Sequence, residues 1–69
     1  MKVGDLVQLS AYGRKRGYNI RIWKDGNAQR VGLIVRVFKG GSFPYEVRWA
    51  GMKKDPPKHM RMELKYAYR

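Results

Sequence analysis

The sequence contains no cysteine and a single histidine, His59. A disulfide framework and a thiolate metal site are therefore excluded, and a lone histidine without a second ligand at suitable spacing predicts no metal site. Acidic residues are also scarce, because five Asp and Glu stand against sixteen Lys and Arg. These carboxylates are too scattered to suggest a catalytic pair, and no nucleophile has a suitable base nearby. We expect a protein that is not an enzyme and that uses no cofactor.

Long apolar runs are absent as well. No stretch approaches the roughly 20 residues that a membrane span requires, and the start of the chain lacks the pattern of a secretory signal. The sequence therefore predicts a soluble, cytoplasmic protein without a membrane partner. A chain of 69 residues suffices for one domain, residues 1–69, whose small core leaves a thin margin of stability.

The residues that are present form short runs of alternating apolar and polar side chains, which predict β-strands. A first strand is expected over residues 3–10, with Val3, Val7 and Leu9 on one face and Leu6 on the other. Residues 11–30 contain scattered Gly, Asn and Asp and are predicted to be a long loop or an irregular hairpin. Within this loop NIRIW predicts a short strand, followed by a turn at Asp25-Gly26-Asn27.

The clearest hairpin joins VGLIVRVF, residues 31–38, to PYEVRWAG, residues 44–51. Apolar side chains on both faces of its first strand predict a strand that is covered on both sides. The second strand places Tyr45, Val47 and Trp49 at alternating inward positions, which predicts core residues.

The end of the chain is predicted to be a loop followed by a short helical turn and a last strand. Residues 52–59 contain two prolines, which lack the amide hydrogens that a central strand needs. The helical turn is expected near residues 61–64. Five short strands in so small a chain expose open edges unless the sheet closes on itself, which favours a small barrel.

The segments VGDLVQL, GLIVRV, PYEVRW and ELK, with a long loop after the first, resemble the strands of SH3-like (Src-homology-3-like) barrels, including Tudor-like and KOW-type domains. The resemblance covers nearly the whole chain. Within this group, the chain most resembles short basic SH3-like proteins of marine bacteriophages. It implies an all-β fold, a small five-stranded SH3-like barrel with a long loop between the first two strands and a short helical turn before the last strand.

The function of such a barrel depends on its surface, and here the surface is basic. The formal net charge of +11 favours a polyanionic partner, of which nucleic acid is the commonest. The stretch GRKRGYNIRIWK, residues 13–24, mixes five cations with large apolar side chains. Such a mixture is typical of a surface that pairs with phosphates and stacks on unpaired bases. We therefore expect DNA or RNA binding with low sequence specificity.

The predicted nucleic-acid contacts are Arg14, Lys15, Arg16, Tyr18, Arg21, Trp23, Lys24, Arg30, Arg36 and Arg48. Trp23 also suits a core position, since tryptophan is more often buried than exposed. For Arg36 and Arg48 the alternative is an ion pair with Glu46. Two other functions stay open: a protein-interaction module that docks on an acidic host protein, and a homo-oligomeric structural component.

Overall fold

The computed structural model describes residues 1–24, 26, 29–53 and 55–68. Within this part of the chain, five strands form one antiparallel sheet in the order β4-β3-β2-β1-β5. The strands are β1 (Leu6–Leu9), β2 (Gly32–Val37), β3 (Tyr45–Trp49), β4 (Lys58–His59) and β5 (Leu64–Tyr66). The predicted number of strands and the predicted β2–β3 hairpin are confirmed, but β4 lies in the segment predicted to be a loop, residues 52–59.

The expectation of a closed, all-β barrel was wrong, because the sheet is open and the fold is mostly β with short helices. Its two edges are β4 and β5, which pair with β3 and β1 respectively. β4 is limited to two residues since Pro56 and Pro57 precede it and offer no amide hydrogens. Short helices cover one face of the sheet and supply the burial that closure was expected to provide.

The predicted long loop contains helices instead. They are α1 (Ala11–Lys15), a first 3₁₀ turn (Gly17–Asn19) and α2 (Ile20–Trp23), and we call residues 11–24 the helical segment. The short strand expected at NIRIW was therefore wrong, because Asn19 and Ile22 turn inward at a helical spacing of three residues. Asp25 and Asn27 of the predicted turn lie outside the described residues.

The core lies between the sheet and the helical segment. Its buried apolar residues are Val7, Leu9, Ile22, Ile34, Val47, Trp49 and Leu64, with Met1, Trp23, Tyr45 and Met52 packed against them. The predicted inward positions of β3 are confirmed. In β1, Val7 and Leu9 share one face and Leu6 lies on the other, as expected, but the strand begins at Leu6 and Val3 is exposed.

A bulge in β2 changes which of its side chains face the core. Ile34 pairs with Val47 while Arg36 pairs with Glu46, so Val35 is an extra residue between two regular pairs. Leu33 and Arg36 consequently lie on the face that the helices leave uncovered, which we call the open face. The prediction of a strand covered on both sides was wrong, because Leu33 is exposed.

The end of the chain follows the prediction in part, because β4 occupies the last two residues of the predicted loop, whereas the helical turn and the last strand are confirmed. A second 3₁₀ turn (Arg61–Glu63) leads directly into β5. Within the described residues no helix has the length and apolar character needed to cross a membrane.

Candidate nucleic-acid interface

The beginning of the helical segment is fixed to the second 3₁₀ turn. Ser10 caps α1, since its Oγ accepts a hydrogen bond from the backbone N–H of Gly13 at 3.1 Å. The same hydroxyl donates to the carbonyl oxygen of Met62 at 2.6 Å, and the Ser10 N–H donates to that of Glu63 at 2.8 Å. Gly13 packs so closely on the Glu63 backbone that a Cβ atom would overlap it. α1 is thereby held in one position.

A buried carboxylate, Glu63, fixes the middle of the helical segment. Its Oε1 accepts hydrogen bonds from Asn19 Nδ2 and His59 Nδ1, both at 2.8 Å. Its Oε2 accepts from the Tyr18 hydroxyl at 2.8 Å and from the Met60 backbone N–H at 3.2 Å. Four donors therefore satisfy a side chain that is fully buried, as a carboxylate away from water requires.

The hydrogen bonds around His59 define its protonation. Trp49 Nε1 donates to His59 Nε2 at 3.0 Å, and an indole nitrogen has no acceptor capacity. Nε2 is therefore the acceptor, and the proton lies on Nδ1, which faces Glu63. Burial lowers the pKa of His59 below its ordinary value of 6.5, while the hydrogen bond and the charge of Glu63 act in the opposite direction. Neutral His59 is the form that preserves both contacts.

The pKa shifts of the two other titratable groups fit the same network. Burial acts to raise the pKa of Glu63, but the hydrogen bonds from Asn19, His59 and Tyr18 outweigh it and hold the pKa below 4.5. Desolvation and the hydrogen bond to Glu63 raise the pKa of Tyr18 above its ordinary value of 10.0. The Tyr18 hydroxyl therefore remains a donor and its ring keeps a fixed place at the surface.

An exposed group of aromatic rings surrounds one of the predicted cations. The guanidinium of Arg16 lies 5.6 Å from the ring centre of Tyr12 and 5.6 Å from that of Tyr18, within cation–π distance of both. Phe43, at the β2–β3 turn, meets the Tyr18 ring edge to face, with 6.2 Å between the ring centres. The rings of Tyr12, Tyr18 and Phe43 are all exposed, so this surface offers both a cation and faces for stacking.

Four further predicted cations extend this surface along the helical segment. Lys15, Arg21 and Lys24 are exposed, and Arg14 is half-buried. Within the described residues none of the four lies within ion-pair distance of a carboxylate. Their positive charge is therefore available to a ligand.

Two of the predicted nucleic-acid contacts, Arg30 and Trp23, instead interact with the protein itself. Arg30 is only 8% exposed, and its guanidinium donates to the carbonyl oxygens of Ile22 and Ala50. Trp23 is half-buried and packs against the core, and its Nε1 is buried without a hydrogen-bond partner in the described structure. These two side chains therefore hold the end of the helical segment against the core.

The last two predicted contacts lie elsewhere. Arg36 and Arg48 are exposed on the open face, on the opposite side of the sheet from the helical segment. Arg36 and Lys58 approach the ring of Phe38 at 5.7 and 4.8 Å from its centre. Arg36 stands opposite Glu46 across the strands, although no ion pair links them among the described residues. The predicted contacts thus form two groups rather than one.

The sequence prediction missed the groups that organise this surface. Glu63, Asn19 and His59 were not assigned to it, and the available signals were weak: one Glu four residues after the only histidine, and a Ser at the start of AYGRK. No group of three or more His, Cys, Asp or Glu in the described structure is arranged to hold a metal ion. Comparisons of the chain with protein-family models, curated proteins and solved structures found no match.

Proposed function

We propose that this chain is an SH3-like module that acts by binding nucleic acid, and that the helical segment contacts the phosphate backbone. One observation carries the proposal: five cations crowd a segment without a single carboxylate between residues 10 and 24, and none of them forms an ion pair within the described structure. The cations are Arg14, Lys15, Arg16, Arg21 and Lys24. The order of the strands, with β1 between β2 and β5, supports the SH3-like part of the proposal.

Preorganisation strengthens this interpretation. Ordering a flexible basic loop on a ligand costs free energy, whereas a segment already fixed by Ser10, Gly13 and Glu63 avoids much of that cost. The exposed rings of Tyr18 and Phe43 suit stacking on unpaired bases. The module therefore binds through charge and stacking, without the base-edge contacts that confer sequence specificity.

Fluorescence anisotropy across a salt series tests the proposal with labelled duplex DNA, single-stranded DNA and RNA. If all five cations meet phosphates of duplex DNA, the logarithm of the association constant falls against the logarithm of salt concentration with a slope of about −4.5. The triple variant Lys15→Gln, Arg21→Gln, Lys24→Gln removes three of these contacts, so we expect its slope to fall to about −1.8. These three side chains are exposed, and glutamine removes the charge without introducing repulsion.

The matched control is Arg48→Gln, Lys53→Gln, Lys65→Gln, which changes the net charge equally at three exposed positions outside the helical segment. We expect the control to retain most of the wild-type slope. Equal losses in the two triple variants contradict the proposal, because net charge alone then explains binding. A slope near zero for the wild type also contradicts it. Circular dichroism on each variant verifies that the fold is retained.

A further inference from the structure

A shallow groove crosses the open face, away from the proposed nucleic-acid surface. Its volume is about 330 Å³. Its lining includes Leu6, Val31, Leu33, Arg48, Trp49 and Gly51. Val31 directly precedes β2, and the other five belong to β1, β2, β3 or the turn that follows β3. The helical segment lies on the other side of the sheet, so nothing in the function proposed above uses this groove.

The accessible floor of the groove is aliphatic. Leu6 and Leu33 are cross-strand neighbours, and 41% and 39% of their surfaces are exposed. Trp49 is only 1% exposed, so its ring contributes to the wall without offering a face for stacking. An aliphatic floor favours an aliphatic side chain and disfavours a nucleobase, which binds proteins mainly by stacking and hydrogen bonding.

One charged side chain stands beside this floor. Arg48 pairs with Leu33 across the strands, is exposed, and has no hydrogen-bond or ion-pair partner in the described residues. The open face also carries three further cations, Arg36, Lys58 and Lys65. Glu46 is the acidic residue of these strands on the same face. A guanidinium binds a carboxylate through two parallel hydrogen bonds. The groove therefore combines an apolar site with an anion site and further positive charge around both.

We infer that this groove binds an acidic polypeptide segment in which a large aliphatic side chain stands next to a carboxylate. The aliphatic side chain covers Leu6 and Leu33, and the carboxylate pairs with Arg48. Neighbouring acidic residues of the partner then meet the other cations of the open face. A second copy of this chain is a poor occupant, because each copy carries a net charge of +11.

The probe is a synthetic peptide of alternating Glu and Leu with blocked ends, added to ¹⁵N-labelled protein and followed by backbone amide shifts. We expect saturable shifts at Leu33, Arg48 and Gly51. A peptide with Gln for Glu, and another with Ala for Leu, should each bind at least about tenfold more weakly, since each loses one of the two determinants. Absence of shifts in the groove, or equal binding of either altered peptide, overturns the inference.

Two variants separate a groove from general charge attraction. Arg48→Gln should weaken binding of the Glu-Leu peptide by about tenfold. Lys15→Gln makes the same charge change on α1 and should leave it within about twofold. Equal effects of the two variants overturn the inference, as does displacement of the peptide from the groove by a single-stranded oligonucleotide, which would assign this face to nucleic acid. These outcomes are independent of the salt slopes that test the helical segment.

Discussion

At the scale of single residues, the carboxylate of Glu63 accepts four hydrogen bonds from two parts of the chain that are distant in sequence. It joins Tyr18 and Asn19 of the helical segment to His59 and Met60 near the end of the chain. Removal of one partner from such a buried group leaves the others unsatisfied, at a cost of about 1–3 kcal/mol or more. The position of the exposed Tyr18 ring therefore depends on a carboxylate that is itself fully buried.

The same network predicts that the protein loses stability in acid. The pKa of His59 is lowered in the folded protein, so the unfolded chain binds the proton more readily, and stability falls as the pH decreases below 6.5. The pKa of Glu63 is also lowered, so a second loss begins below 4.5. We expect the free energy of unfolding, measured with urea, to decrease in both ranges.

The variant His59→Gln isolates the first loss, because an amide is able to accept from Trp49 and donate to Glu63 but does not titrate. Between about pH 7 and pH 5 its stability should be nearly flat, while the loss at lower pH remains. NMR titration of the His59 ring in the wild type measures the same pKa without a substitution. A His59 pKa above 6.5, or a wild type that becomes more stable between pH 7 and pH 5, contradicts this prediction.

Some residue positions follow from the sequence and others do not. Tyr45, Val47 and Trp49 were assigned to the core correctly, because alternation along a strand depends only on neighbouring residues. The Glu63 network was missed since Tyr18 and Asn19 are 45 and 44 residues away from it. The sequence does not distinguish an exposed carboxylate and histidine from a pair that is buried and hydrogen-bonded.

At the scale of secondary-structure elements, the helical segment is helical because of its contacts rather than its composition. α1 and α2 have five and four residues, far below the roughly 12–15 residues that an isolated helix needs for stability in water. Gly13 and Gly17 lower its helix propensity further. The sequence therefore predicted a loop. The helices form because the Ser10 cap and the packing on the second 3₁₀ turn stabilise them.

The two glycines of this segment are expected to respond oppositely to alanine. In Gly13→Ala the new Cβ overlaps the backbone of Glu63, which has little freedom to move. We expect a loss of about 1–3 kcal/mol in the free energy of unfolding, from overpacking. Gly17→Ala meets no atom within 4 Å, so it should be neutral or stabilising by up to about 1 kcal/mol. Urea unfolding measures both, and a Gly13→Ala variant as stable as Gly17→Ala contradicts the described packing of α1.

The bulge in β2 is the second element that the sequence did not reveal. Strict alternation places Leu33, Val35 and Val37 on one face, whereas the extra residue at Val35 puts Leu33 and Val37 on opposite faces. A bulge adds one residue without a special sequence signal when that residue is not glycine. This single irregularity leaves Leu33 and Arg36 on the open face and thereby creates its apolar and basic surface.

At the scale of the whole molecule, a net charge of +11 on 69 residues opposes folding through self-repulsion. The described structure relieves little of it, because the ion pair among its residues is the surface contact Lys2–Asp5, whereas the buried Glu63 carboxylate meets a neutral His59. The longest dimension is 32 Å, close to the roughly 34–36 Å of one turn of duplex DNA. Charge this dense on so short a span is consistent with the salt dependence proposed for binding.

Salt should therefore stabilise the fold while it weakens the proposed binding. Raising sodium chloride from about 10 mM to 150 mM shortens the screening length from roughly 30 to 8 Å and reduces repulsion between the cations. We expect the melting temperature to rise, with a gain of 1 kcal/mol corresponding to roughly 4–8 °C. The variant Lys15→Gln, Arg21→Gln, Lys24→Gln should melt higher than the wild type at low salt and gain less from added salt. A melting temperature that falls with salt contradicts the argument.

The open sheet has one more consequence, which concerns its borders. β4 contains two residues and β5 three, and Pro56 and Pro57 directly precede β4, so few free amides are available to recruit a foreign strand. Lys58 and Lys65 place like charges on these borders, which repel an identical chain. Although both edge strands are open, they are thereby protected from pairing with the edge strands of other copies. Concentrated solutions of the protein should therefore resist fibril growth.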